Sequence, residues 1–201
     1  MDTANLLAPV KDREILVCVC GGIAAYKIAT VVSRLAQAGA HVTVAMSQAA
    51  TRFVAPLTFQ ALSGRHVYTT MWEHVEAQDP QHIALATRAS AVLVAPCTMD
   101  SLARFAAGRA DDIVSLLISA VDRSKTPVLL APSMNAVMWN QPATQRNLKT
   151  LRDDGFRFVD PEEGWQACRT VGVGRMAEPQ TLLAHLASAV QAGPGTTAHS
   201  A

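Results

Sequence analysis

The sequence predicts an α/β protein, a doubly wound parallel sheet with helices on both faces in three layers. Three observations carry that expectation. Four short runs are continuous and apolar, as strands buried on both faces are. Helical spacings fill the intervals between them, and strands alternating with helices build a parallel sheet. The chain has 201 residues, the length of one ordinary domain.

Met1–Arg13 is mixed and polar, unlike a signal peptide, and residues 1–13 are read as a flexible N-terminus. The domain is expected over 14–190. "EILVCVC", Glu14–Cys20, reads as a buried strand, and Gly21-Gly22 as a tight turn after it. Ala24–Ala38 places Ile28, Val31, Val32 and Leu35 at helical spacing, and Gly39 stops it. "HVTVAM" (His41–Met46), "AVLVAP" (Ala91–Pro96) and "PVLLAP" (Pro127–Pro132) are further strands. His82–Ala89, Asp100–Ala107, Asp112–Val121 and Gln141–Asp154 have helical patterns, and Thr181–Val190 is a closing helix. The last stretch, "QAGPGTTAHSA" (191–201), reads as a disordered tail.

Composition excludes several functions. Hydrophobic residues make up 50% and charged residues 16%, so some apolar surface is expected to lie between subunits. A net charge of +1 without a basic block gives no attraction for nucleic acid. No apolar run reaches the roughly 18 residues that cross a bilayer. Of the cysteines, Cys18, Cys20, Cys97 and Cys168, no pair has the spacing of a zinc knuckle or a redox C-x-x-C. Cys18 and Cys20 share one face of a strand and are assigned to the core. A reduced, cytoplasmic setting fits that usage.

Ligands of doubly wound sheets bind beyond the carboxyl ends of the strands. Here those ends read "CGGI", "MSQA", "PCTMDS" and "PSMNAVMW". "CGGIAAYK" opens a helix directly after a strand, where backbone N–H groups suit a phosphate. A plain tight turn is the alternative, because G-x-G-x-x-G is incomplete. Met46-Ser47 stands where a dinucleotide site wants an acid, which disfavours NAD and suits a mononucleotide. Ser47, Thr51 and Thr98 could supply hydroxyls.

"GGIAAYK", "HIALA", "APCTMDSLARFAAGRADDI", "PSMNAVMW" and "QACRTVGVGRMAEP" occur in the order seen in the flavin-dependent cysteine decarboxylases. The chain resembles that family from roughly Glu14 to Ala187. The family includes phosphopantothenoylcysteine decarboxylase and the peptidyl-cysteine decarboxylases of natural-product pathways. The resemblance implies a flavodoxin-like (Rossmann-like) sheet, FMN, and homotrimers with the site at a subunit interface, sometimes assembled into dodecamers. It maps the catalytic histidine onto His82, the carboxylate-holding asparagine onto Asn135 and a proton-donating cysteine onto Cys168. Gly21, Gly22, Ile23, Ser47, Phe53, Thr98, Met99, Asp100, Ser101 and Ser133 fall where the family contacts FMN. Met134, Met138, Thr87 and Arg88 join Asn135 as expected substrate contacts.

The chemistry explains these residue types. Losing CO2 from an ordinary amino-acid carboxylate leaves an unstabilised carbanion. Oxidising the cysteine CH2–SH to CH=S creates an electron sink, and a flavin accepts the hydride. Asn135 can hydrogen-bond a carboxylate without locking it as an arginine pair would. Sulfur-and-indole surroundings favour a less charged transition state. His82 can move a proton near neutral pH, with a capping or core histidine as the alternative. His41, His66, His74, His185 and His199 keep a bland reading. Core packing is the alternative for Met134 and Met138, and it is kept for Trp139. Asp111 and Asp112 read as a helix N-terminus. Cys168 lies in a run rich in Gly and charge, read as a mobile flap.

Three positions depart from the family. Thr87, with Arg88 beside it, replaces an arginine that helps bind substrate in the pantothenate-pathway enzymes. Met99-Asp100 replaces a small-Asn pair, and Arg169 replaces a glycine. The synthetase domain that bacteria commonly fuse to the pantothenate-pathway enzyme is not expected within these 201 residues. Loss of the arginine tilts the expectation to a peptide with a C-terminal cysteine, decarboxylated oxidatively to an enethiol. Cys168 tilts it to phosphopantothenoylcysteine. A non-catalytic flavin-binding regulatory subunit is the third possibility.

Overall fold

The apolar runs become the middle of one sheet. The computed structural model describes residues 6–72 and 81–193. Its strands are β1 (Glu14–Val19), β2 (His41–Met46), β3 (Val67–Tyr68), β4 (Ala91–Cys97), β5 (Val128–Pro132), β6 (Arg157–Phe158), β7 (Glu162–Trp165) and β8 (Val171–Arg175). Its helices are α1 (Ala25–Gln37), α2 (Pro56–Ser63), α3 (Gln81–Arg88), α4 (Met99–Ala106), α5 (Ile113–Ala120), α6 (Ala136–Trp139), α7 (Pro142–Asp153) and α8 (Pro179–Ala192). The first six strands form a parallel sheet in the order β3-β2-β1-β4-β5-β6.

Alternation along β1 shows why these runs are apolar throughout. Ile15, Val17 and Val19 face one layer, with Ile28, Val31 and Leu35 of α1 and Leu182, Leu183 and Leu186 of α8. Leu16, Cys18 and the following Cys20 face the other, with Leu85, Leu102, Leu117 and Leu148 of α3, α4, α5 and α7. Each such aliphatic side chain stabilises the fold by about 1.5–3 kcal/mol when fully buried. The result is the expected three-layer, flavodoxin-like α/β sandwich.

Three expectations need correction. Residues 6–13 are not a loose end: Leu7 and Val10 are buried in the α1/α8 layer, and Asp12 N–H donates to the Gly39 carbonyl at 3.0 Å. Two apolar side chains in that core outweigh the polar look of the segment. The closing helix runs past Val190 to Ala192, and the remainder of the proposed tail from 194 lies outside the described residues. The supposed flap is an antiparallel ladder, with Glu163 opposite Val173 and Trp165 opposite Val171.

The chain leaves β1 in one direction across the sheet and β4 in the other, so a crevice opens between their carboxyl ends. The Cys20 N–H donates to the Pro96 carbonyl at its floor. Helix α3 leads into the amino end of β4, so its first turn lies on the carboxyl side of the sheet. His82 is in that first turn. Thr87 and Arg88 end the helix on the other side, where Arg88 lines a small crevice with Glu14 and Thr43.

Candidate functional site

A cavity of about 450 Å3 lies over the carboxyl ends of the strands. Three pieces of chain enclose it: the turn into α1 (Gly22 to Lys27), the loop after β5 (Ser133 to Asn135) and the β7–β8 hairpin (Trp165 to Met176).

Asn135 is the N-cap of α6. Its Oδ1 accepts from the Val137 N–H at 2.8 Å and the Met138 N–H at 3.1 Å. The cap therefore decides which end of the amide faces outward. The NH2 group is left to donate, and its Nδ2 lies 3.6 Å from Cys168 Sγ. A neutral donor fixed in this way fits the task of holding a carboxylate.

Cys168 stands in the turn between β7 and β8, exposed, with its sulfur 3.0 Å from Thr170 Oγ1. Hydrogen bonds from Thr170 and then Asn135 hold its thiol below the ordinary pKa by stabilising the thiolate. The hairpin is held against the loop rather than free. Met134 N–H donates to the Gly174 carbonyl at 2.9 Å. At Gly174, φ is +136° and a Cβ would fall 2.3 Å from the Met134 carbonyl oxygen. A Cβ on Gly172 would fall 2.8 Å from that of Ala136. These glycines permit close docking, the opposite of what their flexibility suggested.

The third wall is charged. Lys27 Nζ lies 2.9 Å from Glu178 Oε1, and Arg175 pairs with both Glu178 (2.8 Å) and Glu162 (3.3 Å). Lys27 and Arg175 line the cavity.

The residues assigned to FMN gather at the same edge. The N-cap of α1 is Ala24, whose side chain caps nothing, and the turn closes on itself: the Ala25 N–H donates to the Gly22 carbonyl at 2.9 Å and the Lys27 N–H to the Ala24 carbonyl at 3.0 Å. Gly21 lets the β1 turn meet the loop after β2, where a Cβ would fall 2.3 Å from that of Ala49. Ser47 Oγ accepts from the Ala50 N–H in that loop, and Phe53 follows it, about half exposed. Thr98 caps α4 by accepting from the Ser101 N–H at 3.2 Å, and its hydroxyl is 2.9 Å from that of Ser101. Met99 and Asp100 begin α4. The Asp100 carboxylate, 72% exposed, is paired with Arg104 at 2.8 Å. Gly22, Ile23 and Ser133 line the cavity itself. Close backbone approach at Gly21 and the clustered hydroxyls of Ser47, Thr98 and Ser101 fit a flavin mononucleotide with one phosphate.

The structure thus brings Gly22, Ile23, Ser133, Met134, Asn135 and Cys168 to one cavity. His82 stands on the same side of the sheet but outside that lining. Met138 points outward, and Thr87 and Arg88 lie across the sheet. Trp139 packs on the core as expected, and the cavity's indole belongs to Trp165. Sequence reasoning missed Lys27, Trp165, Gln166 and Arg175 as lining residues. Lys27, Gln166 and Arg175 sat inside the matched blocks but carried no chemical signature of their own. Among the described residues, no cluster fit for a metal ion occurs and no helix is long and apolar enough to cross a membrane.

Comparison with known proteins sets this geometry in context. A profile described as "Flavoprotein" matches residues 4–191. The coenzyme A biosynthesis bifunctional protein CoaBC of Bacillus subtilis (strain 168) is 42% identical over 174 residues, 87% of this chain and 42% of that protein. The CoaBC of Vibrio cholerae is 46% identical over 173 residues, 86% of this chain and 43% of the relative. The chain thus spans about two-fifths of these curated relatives. Among solved structures, a cysteine-to-serine mutant of PPC decarboxylase complexed with pantothenoylaminoethenethiol superposes with a TM-score of 0.79 at 27% identity, covering 87% of this chain and 96% of that one. The FMN-dependent cysteine decarboxylase SpaF gives a TM-score of 0.77 at 28% identity, covering 90% and 99%.

Proposed function

The chain belongs to the Flavoprotein family, its cofactor is FMN, and from that premise we propose that it decarboxylates phosphopantothenoylcysteine. One observation carries the choice of substrate chemistry: Cys168 Sγ lies 3.6 Å from Asn135 Nδ2. The amide holds the substrate carboxylate. The carbon that loses CO2 is therefore the carbon nearest the thiol. A decarboxylase that releases its enethiol needs no proton donor there, whereas one that restores a saturated thiol does.

Bound FMN supplies a hydride acceptor, and later the returning donor, for the carbon bearing the substrate sulfur. Asn135 orients the carboxylate with a neutral donor, so the charge is free to leave as CO2. Cys168 then gives its proton to the carbon left behind. The hydrogen bonds that lower the thiol's pKa make that transfer easier. His82 is assigned the substrate thiol proton.

The relatives pull the same way. The curated proteins at 42% and 46% identity are coenzyme A enzymes, and they outweigh the tilt that Thr87 gave to a peptide substrate. Thr87 itself lies at the end of α3, outside the lining of the cavity.

Assembly is part of the proposal. Ile23, Tyr26, Leu57, Ile83 and Val137 are exposed apolar side chains, and His82 lies outside its own cavity. A homo-oligomer, a trimer or a dodecamer built from trimers, is how His82 comes to a substrate. Light scattering of flavin-loaded protein checks this, and a monomer would refute it.

The deciding experiment incubates flavin-loaded protein with phosphopantothenoylcysteine. Loss of CO2 alone from the substrate is expected. No CO2 from that substrate, with loss of CO2 plus two hydrogens from a peptide ending in cysteine, would transfer the assignment to the peptide enzymes. Inactivity on both would leave a regulatory subunit.

A further inference from the structure

We propose that Gln166 is the positioning residue for protonation, holding Cys168 and Asn135 in register across the cavity. The inference rests on the decarboxylase reading above. Gln166 is the first residue after β7, and it is only 6% exposed although its neighbours in the turn are open to water. Its side chain reaches both walls through four hydrogen bonds. Oε1 accepts from the Ala136 N–H at 3.2 Å and from Cys168 Sγ at 3.6 Å, while Nε2 donates to the Gly172 and Val173 carbonyls at 3.3 Å each. Ala136 directly follows Asn135. One amide thus joins the cap that aims Asn135 to the turn that carries Cys168.

Its backbone closes the same turn. Gln166 N–H donates to the Thr170 carbonyl at 2.8 Å, and Arg169 N–H donates to the Gln166 carbonyl at 2.9 Å. A buried amide with both ends occupied has one geometry, because any rotation strands a donor or an acceptor at a cost of about 1–3 kcal/mol. Gly172 and Gly174 allow the approach of hairpin to loop, and Gln166 fixes its register.

The step that depends on this register is balanced as follows. The bond from carbon to carboxylate breaks, CO2 leaves, and the electron pair is held as an enethiolate. The Cys168 S–H bond breaks, its proton joins the carbon that lost CO2, and the substrate C=S forms again. Return to the C=S carbon of the hydride that bound FMN would hold, and of the thiol proton to the resulting thiolate, would complete the saturated thiol, and a proton from water would restore Cys168. A thiol displaced by about 1 Å slows only the proton transfer, by up to about a hundredfold.

A single-turnover experiment without oxygen tests this on flavin-loaded Gln166→Leu and Gln166→Glu with phosphopantothenoylcysteine. For Gln166→Leu the enethiol's share of product is expected to rise about tenfold over wild type. The electrons then stay on the cofactor, so its yellow absorbance remains bleached at the end. Gln166→Glu keeps an acceptor for the Ala136 N–H and the thiol but loses the donor to the Gly172 and Val173 carbonyls, so its enethiol share is expected to lie between those of wild type and Gln166→Leu. A purely structural role would lower melting temperature and flavin retention while leaving the product ratio at the wild-type value.

A second readout needs no substrate. Cys18, Cys20 and Cys97 are buried, so iodoacetamide reports on Cys168. Gln166→Leu should change its alkylation rate about tenfold at neutral pH. The carboxylate of Gln166→Glu should move the alkylation midpoint to higher pH. Wild-type product ratio together with wild-type alkylation in both variants overturns the proposal. Wild-type protein that leaves phosphopantothenoylcysteine untouched overturns that substrate assignment instead, and the alkylation result alone then decides the role of Gln166. If Gln166→Leu does not fold, Gln166→Glu carries both readouts.

Discussion

The sheet and the hairpin hold the same side chain in opposite states. Cys18, Cys20 and Cys97 sit within the sheet layers and are at most 1% exposed. Burial pushes their thiols up, Cys20 to about 12 even with a hydrogen bond from Ser101 acting against it. Cys168 stands in the hairpin turn, and the Thr170 hydroxyl with Asn135 draws its thiol down. Chemical capacity here is a property of position. The sheet keeps sulfur as a small apolar filler, and the hairpin makes it an acid.

The largest blow to that contrast is expected from Asn135→Asp. Aspartate keeps an oxygen to cap α6, so the fold survives. It puts a negative charge where a donor met the carboxylate and the thiol. CO2 release should fall about 10²–10³-fold, as when a single donor to a developing charge is removed. The alkylation midpoint of Cys168 should move to higher pH. Full activity would show that the amide does not hold the carboxylate.

Next comes a paired test of the two regions. Cys168→Ser should change what is made more than whether CO2 leaves, with the enethiol becoming the main product by mass. Cys18→Ser should leave the product alone and cost about 1–3 kcal/mol of stability, because its hydroxyl is buried in an apolar layer. Denaturant titration measures the second, and swapped outcomes would erase the distinction. A gentler change sharpens it. Thr170→Val removes the first hydrogen bond to the Cys168 sulfur, and the alkylation midpoint should rise. The sign follows from the folded pKa being the depressed one: below the midpoint Cys168 is a thiol, above it a thiolate, and losing the stabiliser of the thiolate moves that boundary upward.

The same division explains what could be read from residues alone. Runs such as "AVLVAP" are buried on both faces, so local composition fixes their state, and His41–Met46 matches its strand residue for residue. Strands β3 and β6 have two residues each, too short for a pattern to stand out, and helix α2 buries only Phe59, so its eight residues carry no apolar stripe. In the site, Asn135 and Cys168 stood out because a lone amide and a lone thiol have chemistry. Their registration did not, because the hydrogen bond from the Ala136 N–H to Gln166 links positions thirty residues apart in sequence. Glycines 172 and 174 misled, since composition reports freedom and only the structure reports that the Ala136 Cβ crowds the missing Cβ of one and the Met134 carbonyl that of the other.

Arg169 gives the smallest effect and isolates the backbone of the hairpin from its chemistry. It follows Cys168 with φ at +67°, the left-handed region where a side chain is disfavoured by about 1–2 kcal/mol. Its N–H closes the turn onto the Gln166 carbonyl, so the conformation is imposed by the ladder on either side. Arg169→Gly removes the Cβ conflict, and glycine's greater freedom in the unfolded chain gives back about 0.5–1 kcal/mol. The net expectation is a gain of about 0.5–1 kcal/mol, or about 2–3 °C in melting temperature for a domain of this size. Product ratio and the Cys168 alkylation midpoint should stay fixed, because Thr170, Asn135 and Gln166 keep their places. A fall in melting temperature would mean that the arginine side chain holds the turn, and the hairpin would then owe its shape to a contact rather than to its ladder.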